Sequence, residues 1–263
     1  MKLLLLLLCC KGLFNCCGNA KRDGNGIVNI PDATFKAYLV GDSAINTNGD
    51  KEIQVSEASV FNDTIDCSEL NISNLKGIEA FTALTRLECG DNNLTSLDVS
   101  KNTALTRLDC DGNQLTSLDV SKNTALTSLN CNFNQLTSLD VSKNTALIFL
   151  ECGDNNLTSL DVRNGNNTWF DIFDFSNNPN LTCINVDDAT WSTANWTDYY
   201  DFWLDPQHYF SNNCSGTSSI QELNTNKKLL KVTDLLGRET KATNQVLIHI
   251  YDDGTLEKKI VFE

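Results

Sequence analysis

Leu84-Thr85-Arg86-Leu87-Glu88-Cys89-Gly90-Asp91-Asn92-Asn93-Leu94-Thr95-Ser96-Leu97-Asp98-Val99-Ser100-Lys101-Asn102-Thr103-Ala104 decides the fold, because the chain repeats it with small changes at a period of 21 residues. Leu84, Leu105, Leu126 and Leu147 form one column, as do Leu87, Leu108, Leu129 and Leu150. Cys89, Cys110, Cys131 and Cys152 form another, followed by Asn92, Asn113, Asn134 and Asn155. The match runs on through Leu94, Leu97 and Val99 and their equivalents. Repetition at this length marks a solenoid, in which one unit cannot bury its apolar face alone and stacking buries a continuous core.

A half-period is nested in the unit: L-x-x-L-x-C-x-x-N is followed by L-x-x-L-x-V-x-x-N. In each half an inward Leu and the Cys or Val two places later alternate with polar residues, which is the period of a short strand with one buried face. The Asn that follows suits a turn, where its amide can bond backbone groups of its own coil and the next. The expected fold is therefore mostly β, a solenoid with parallel strands on two sides.

These repeats resemble bacterial leucine-rich repeats of the short, nested kind. The resemblance covers residues 65–186, with a diverged first coil through Cys67, Leu70, Ile72, Leu75 and Ile78 and a diverged last one through Phe173, Phe175, Asn178, Leu181, Ile184 and Val186. Solenoids need caps. Residues 21–64 supply the first, with a short helix expected where Ile30-Pro31-Asp32 precedes Phe35, Tyr38 and Leu39. Residues 187–214 supply the second, where Trp191, Trp196, Tyr199, Tyr200, Phe202, Trp203 and Phe210 crowd together; they read as a plug, with a ligand cleft as the alternative.

Composition narrows the function. With 34 acidic and 20 basic residues the formal charge is −14, which repels phosphate backbones and excludes a nucleic-acid partner. The two histidines, His208 and His249, have no Ser or Cys beside them in an activated arrangement, so the chain reads as non-catalytic. Residues 1–20 read as a signal peptide: Lys2, then Leu3 to Leu8, then small Gly18 and Ala20. That apolar run is too short to span a bilayer, and no other reaches membrane length. Secretion, or display on the outer cell surface, follows.

Cys67, Cys89, Cys110, Cys131 and Cys152 share one inward column at the repeat spacing, where Cys acts as a small apolar residue rather than a zinc ligand. Cys183 and Cys214 stand outside it and are expected to pair as a disulfide in an exported chain. No cofactor is required. One ion is admitted by spacing: residues 46–57 resemble a calcium-binding EF-hand loop, with Asn46, Asn48, Asp50, Glu52 and Glu57 as the metal ligands. Asn46 replaces the usual first Asp and Lys51 the usual Gly, and the competing reading is a polar turn between two cap helices.

The outward positions separate a constant side from a variable one. Ser96, Ser117, Ser138 and Ser159, with Asp98, Asp119, Asp140 and Asp161, are identical in every coil, as structural ladders are. Stacked carboxylates about 4.8 Å apart repel unless hydrogen-bonded or neutralised. Arg86, Arg107, Ser128 and Phe149, with Glu88, Asp109, Asn130 and Glu151, change from coil to coil. Together with Phe133 they form the candidate ligand-binding face, for a protein or a glycan; a freely drifting solvated surface would vary in the same way.

Residues 215–228 are polar and linker-like. Beyond them, residues 229–263 read as strands at 229–232, 246–251 and 256–262, the last two joined by a turn at Asp252-Asp253-Gly254-Thr255. Lys231 to Glu239, Ile250 to Gly254 and the ending Glu257 to Glu263 resemble the C-terminal sorting domain of the type IX secretion system of Bacteroidetes. That resemblance implies the secretion machinery as a partner. The expected function is a secreted or cell-surface binding protein, and the alternative is a structural surface or adhesin element without a specific ligand.

Overall fold

The computed structural model describes residues 26–196, 202–214, 229–233, 245–251 and 256–261. The chain divides into two units, residues 1–214 and 215–263. The first contains, in chain order, β1 (Thr64–Asp66), β2 (Arg86–Glu88), β3 (Arg107–Asp109), β4 (Ser128–Asn130), β5 (Ser138–Asp140), β6 (Phe149–Glu151), β7 (Ser159–Asp161), β8 (Ile172–Asp174), β9 (Cys183–Asn185), β10 (Phe202–Trp203) and β11 (Tyr209–Ser211). Strands β1, β2, β3, β4, β6, β8 and β10 pair in that order as a seven-stranded parallel front sheet, and β5, β7, β9 and β11 as a four-stranded parallel back sheet. The front register follows the repeat from β2 to β8: Leu87 faces Leu108, Leu108 faces Leu129, Leu129 faces Leu150, and Leu150 faces Phe173. All are buried, so the core is the continuous leucine column that the periodicity implies.

Two asparagine ladders fix the coils. Asn113 accepts from Leu94 N at 2.9 Å and donates to Cys89 O, Cys110 O and Asp111 O at 3.0, 3.2 and 2.9 Å. Asn92, Asn134, Asn155 and Asn178 repeat the pattern. The amide thus ties its own coil to the preceding one, not to the next as the sequence reading had it. Behind the ladder the thiols of Cys89 and Cys110 donate to Asp109 O and Asn130 O. Burial pushes the Cys67 thiol up to about 12, which keeps it protonated and inert.

The back side is less regular than expected. Its strands begin only at Ser138, while the equivalent residues 96–98 and 117–119 form no strand. Leu97 is half-buried, Leu118 8% exposed, Leu139 3% and Leu160 0%, so the side tightens along the chain. In the first coil Ile78–Ala80 is a 3-10 helix, and Asn102 bonds Ile78 O as Asn123 bonds Val99 O in the next coil. Gly77 enters that helix at φ 109°, and a Cβ there would lie 2.7 Å from Ile30 Cγ1 of the cap.

Both caps are closed by polar ties. Helix α1 (Ala33–Gly41) is N-capped by Asp32, which accepts from Thr34 N and Phe35 N through Oδ1 and from Ser73 N and Oγ through Oδ2, joining cap to first coil. Phe35 and Leu39 cover the core end. A second, four-residue helix α2 (Val55–Ala58) follows the polar loop. At the other end α3 (Ala189–Asn195) leads to Trp196, 2% exposed, with ring centroids 4.8 Å from Phe173 and 5.2 Å from Phe210. The aromatic segment is a plug here, and it is more than a cap: β10 and β11 continue both sheets past Val186, where the sequence reading ended the coils. Tyr199 and Tyr200 lie outside the described residues. The expected Cys183–Cys214 disulfide is present.

The second unit holds β12 (Leu229–Thr233), β13 (Gln245–Tyr251) and β14 (Leu256–Val261), paired antiparallel in that order. Residues 1–20, the linker at 215–228 and the turn at 252–255 lie outside the described residues.

Candidate functional site

Because side chains alternate along a strand, each front strand presents its first and third residues outward. Register pairing stacks Arg86, Arg107, Ser128 and Phe149 in one column and Glu88, Asp109, Asn130, Glu151 and Asp174 in the other. A shallow depression of about 470 Å³ is lined by Arg86, Glu88, Arg107, Asn130, Phe149 and Glu151, with Ser128, Thr106 and Thr127 completing it. The residues predicted for the binding face are therefore brought together, with one exception. Phe133 stands off the sheet, on the turn that follows β4.

Charge is uneven over this face. Arg107 lies 3.4 Å from both Glu88 and Asp109, neutralising the N-terminal half. Farther along, among the described residues, no such cation intervenes between the strands. Burial, then Asp174 and Asp109, hold the Glu151 carboxyl above its ordinary range, against the pull of Arg107. Asp111, two places past β3, is pushed up to about 6 by burial first and by Asp109, Asp91 and Glu151 after it. Sequence reasoning missed Asp111 and Asp91. Their signal was the pair of varying columns Gly90, Asp111, Asn132, Gly153 and Asp91, Gly112, Phe133, Asp154, which lie between the fixed Cys and Asn columns.

Past each front strand the chain turns through a left-handed residue. Asp91, Gly112, Phe133, Asp154 and Asn177 have φ of 51°, 57°, 51°, 50° and 54°. Gly, Asn and Asp enter this region readily, whereas a bulky side chain there is an outlier. Phe133 is also 58% exposed.

The back side contrasts with this. Asp98, Asp119 and Asp140 each accept from the backbone N–H two residues on, Ser100, Ser121 and Ser142, at 3.0, 2.9 and 2.8 Å. Hydrogen bonds from Ser100 and Ser121 hold the Asp98 and Asp119 carboxyls below the usual range. The repeated carboxylates thus each cap their own turn.

The EF-hand-like loop is closed by its own hydrogen bonds. Glu57 Oε1 accepts from Thr47 Oγ1 and Asn48 N, and Oε2 from Gln54 N, so the residue works as the third position of a capping box. Burial would raise its pKa, but these bonds outweigh it and hold the carboxyl low. Glu52 is paired with Lys36 at 2.6 Å, Asp50 accepts from Glu52 N and Gln54 Nε2, and Asn48 from Asp50 N. Asn46 directs its Nδ2 to Val40 O and Asp50 O, leaving its buried Oδ1 without a partner among the described residues. Calcium wants six or more free oxygens, and this arrangement does not fit it.

No family model matches the chain, and no curated protein does. Solved structures do. The functional domain of InlJ from Listeria monocytogenes, which includes a cysteine ladder, aligns with TM-score 0.50 and 38% identity over 59% of this chain and 36% of that one. This chain resembles internalin-type leucine-rich-repeat proteins. An internalin, InlF, also from Listeria monocytogenes, aligns at 18% identity over 60% of this chain and 52% of that one, with TM-score 0.40. The BIR2 ectodomain of Arabidopsis thaliana aligns at 20% identity over 44% and 67%, with TM-score 0.38. The chain thus spans about a third of the solved InlJ functional domain and about half of the solved InlF chain. The column of Cys67, Cys89, Cys110, Cys131 and Cys152, all free and buried, lies within the repeats of this chain.

Proposed function

We propose that the chain is a non-catalytic binding protein that recognises a protein partner through the front sheet. The observation that carries this reading is the contrast between sides: outward residues vary and their carboxylates crowd on the front, while the back repeats one self-satisfied turn. Arg86, Arg107 and Phe149 would anchor the partner, with Glu88, Asp109, Ser128, Asn130 and Glu151 setting its orientation. The test is capture by the mature chain followed by titration of the captured protein. Saturable binding supports the reading; capture of glycans alone, or concentration-dependent self-assembly in place of binding, contradicts it.

We further propose export to the outer surface. The Cys183–Cys214 disulfide supports an oxidising compartment, and the antiparallel β12 to β14 unit supports reading residues 229–263 as a sorting segment. Deleting residues 228–263 should leave the repeat domain folded but retained in the envelope of a host with this pathway. Normal export of the truncated chain would refute it.

A further inference from the structure

The row of left-handed turns beside the front sheet holds one residue that the fold does not require. Gly112, Asp91, Asp154 and Asn177 suit the positive φ of that row, and any of them would serve at position 133. Phe133 is there instead, with an apolar ring 58% exposed. It packs into no part of the core, so its presence is unexplained by stability.

Its surroundings are specific. Gly112 and Asp154 are its neighbours along the row: Asn113 N donates to Phe133 O, and Asn134 N to Asp154 O, both at 3.2 Å. Gly112 has no side chain, and the space a Cβ would take there is filled by Asp91, whose Oδ1 lies 2.5 Å from that point. A carboxylate therefore covers the coil on one side of Phe133, and Asp154 occupies the coil on the other. Asp111, next to Gly112 in the chain, adds a third acid within a neighbourhood already crowded with Asp109 and Glu151. The chain as a whole is strongly acidic, at −14.

An exposed ring bracketed by carboxylates has one complementary side chain. A guanidinium is planar, stacks on an aromatic face, is weakly hydrated and forks its N–H groups toward carboxylates. We propose that Phe133, with Asp91 and Asp154, is the seat for an arginine side chain of a protein partner. This rests on the reading of the front face as a protein-binding surface and names the chemistry of what it binds. A lysine ammonium gains less from the ring, since it is a compact, strongly hydrated charge, and an acidic group is repelled.

The test titrates the full chain with a short peptide of alternating arginine and alanine, and with its lysine and glutamate counterparts. The arginine peptide should bind tightest and the glutamate peptide not at all. Phe133→Asn, which suits the left-handed turn and so keeps or raises the melting temperature, should weaken the arginine peptide by about three-fold. Asp91→Asn with Asp154→Asn should weaken it further. Asp98→Asn with Asp140→Asn makes the same charge change on the back side and should leave affinity within about two-fold. An unchanged affinity in Phe133→Asn overturns the proposal, as does equal loss from the two Asp pairs, which would mean net charge alone. If capture of a protein still depends on Phe149 and Arg107 while the peptide ignores Phe133, the arginine seat fails and the front-face reading stands.

Discussion

The front and back of this solenoid are built from the same half-repeat, yet they differ in how fully their polar groups are satisfied. On the front, Asn113 engages both ends of its amide and closes each turn completely. On the back, Asn123 donates to Val99 O and Asn102 O at 3.0 and 2.9 Å, while its buried Oδ1 has no partner among the described residues. Asn102 and Asn144 share that deficit. Outward, the order reverses: back carboxylates cap their own turns, and front carboxylates crowd one another. The front thus combines the firmer frame with the less satisfied surface, which is the arrangement expected of a rigid scaffold that presents a binding site.

The largest effect expected of this difference is on stability. Asn113→Ala strands Leu94 N in the core, while Cys89 O, Cys110 O and Asp111 O each keep a second donor in Asn92 Nδ2, Asn134 Nδ2 and Asp91 N; it should cost about 2–3 kcal/mol, because a buried group left unpaired loses its full desolvation energy. Asn123→Ala removes two donors but also an oxygen that had no partner, so it should cost about 1 kcal/mol. Urea denaturation of the two variants compares them directly, and equal costs would break the contrast.

A smaller effect separates the faces by pH. The folded pKa of Asp111 is raised to about 6 from 3.8, so the folded state holds its proton longer than the unfolded chain and stability falls as pH rises between those values. Above about pH 6 the penalty is complete, and for a half-exposed group it is screened to roughly 1 kcal/mol. Asp111→Asn should remove it, raising the melting temperature at pH 7 and leaving it unchanged near pH 4. Asp98 and Asp119 have the opposite sign: with folded pKa values below 3.8, their contribution is present above that value and lost as pH falls through the lowered ones. A melting profile in which Asp111→Asn gives no gain at neutral pH would contradict the crowding.

The solenoid was legible because its inward residues repeat: Leu87, Cys89 and Asn92 recur wherever the same packing problem recurs. The cap helix was legible from Asp32, and the disulfide from two cysteines that broke the column. What the sequence concealed depends on relations between coils. The back sheet begins only at Ser138 although the residues at 96–98 and 117–119 are the same, and β10 and β11 lie in a segment whose aromatics read only as a plug. In the face itself, the columns of Arg86 and Glu88 were visible as variation at fixed positions. Asp91 and Asp111 were not, since their importance comes from glycines in adjacent coils that let them fold over the backbone. In the EF-hand-like loop, spacing alone could not show that Thr47, Asn48 and Gln54 donate to Glu57.

Binding belongs to the front side and not the back. Titrating the captured protein partner against Phe149→Ala with Arg107→Ala, and against Ser96→Ala with Ser117→Ala, tests that directly, with melting curves confirming that each pair keeps the fold. The front pair should weaken binding by about ten-fold or more, as loss of an aromatic and an arginine anchor does, and the back pair should change it by less than about two-fold. A back pair that costs as much as the front pair would contradict the assignment of the face.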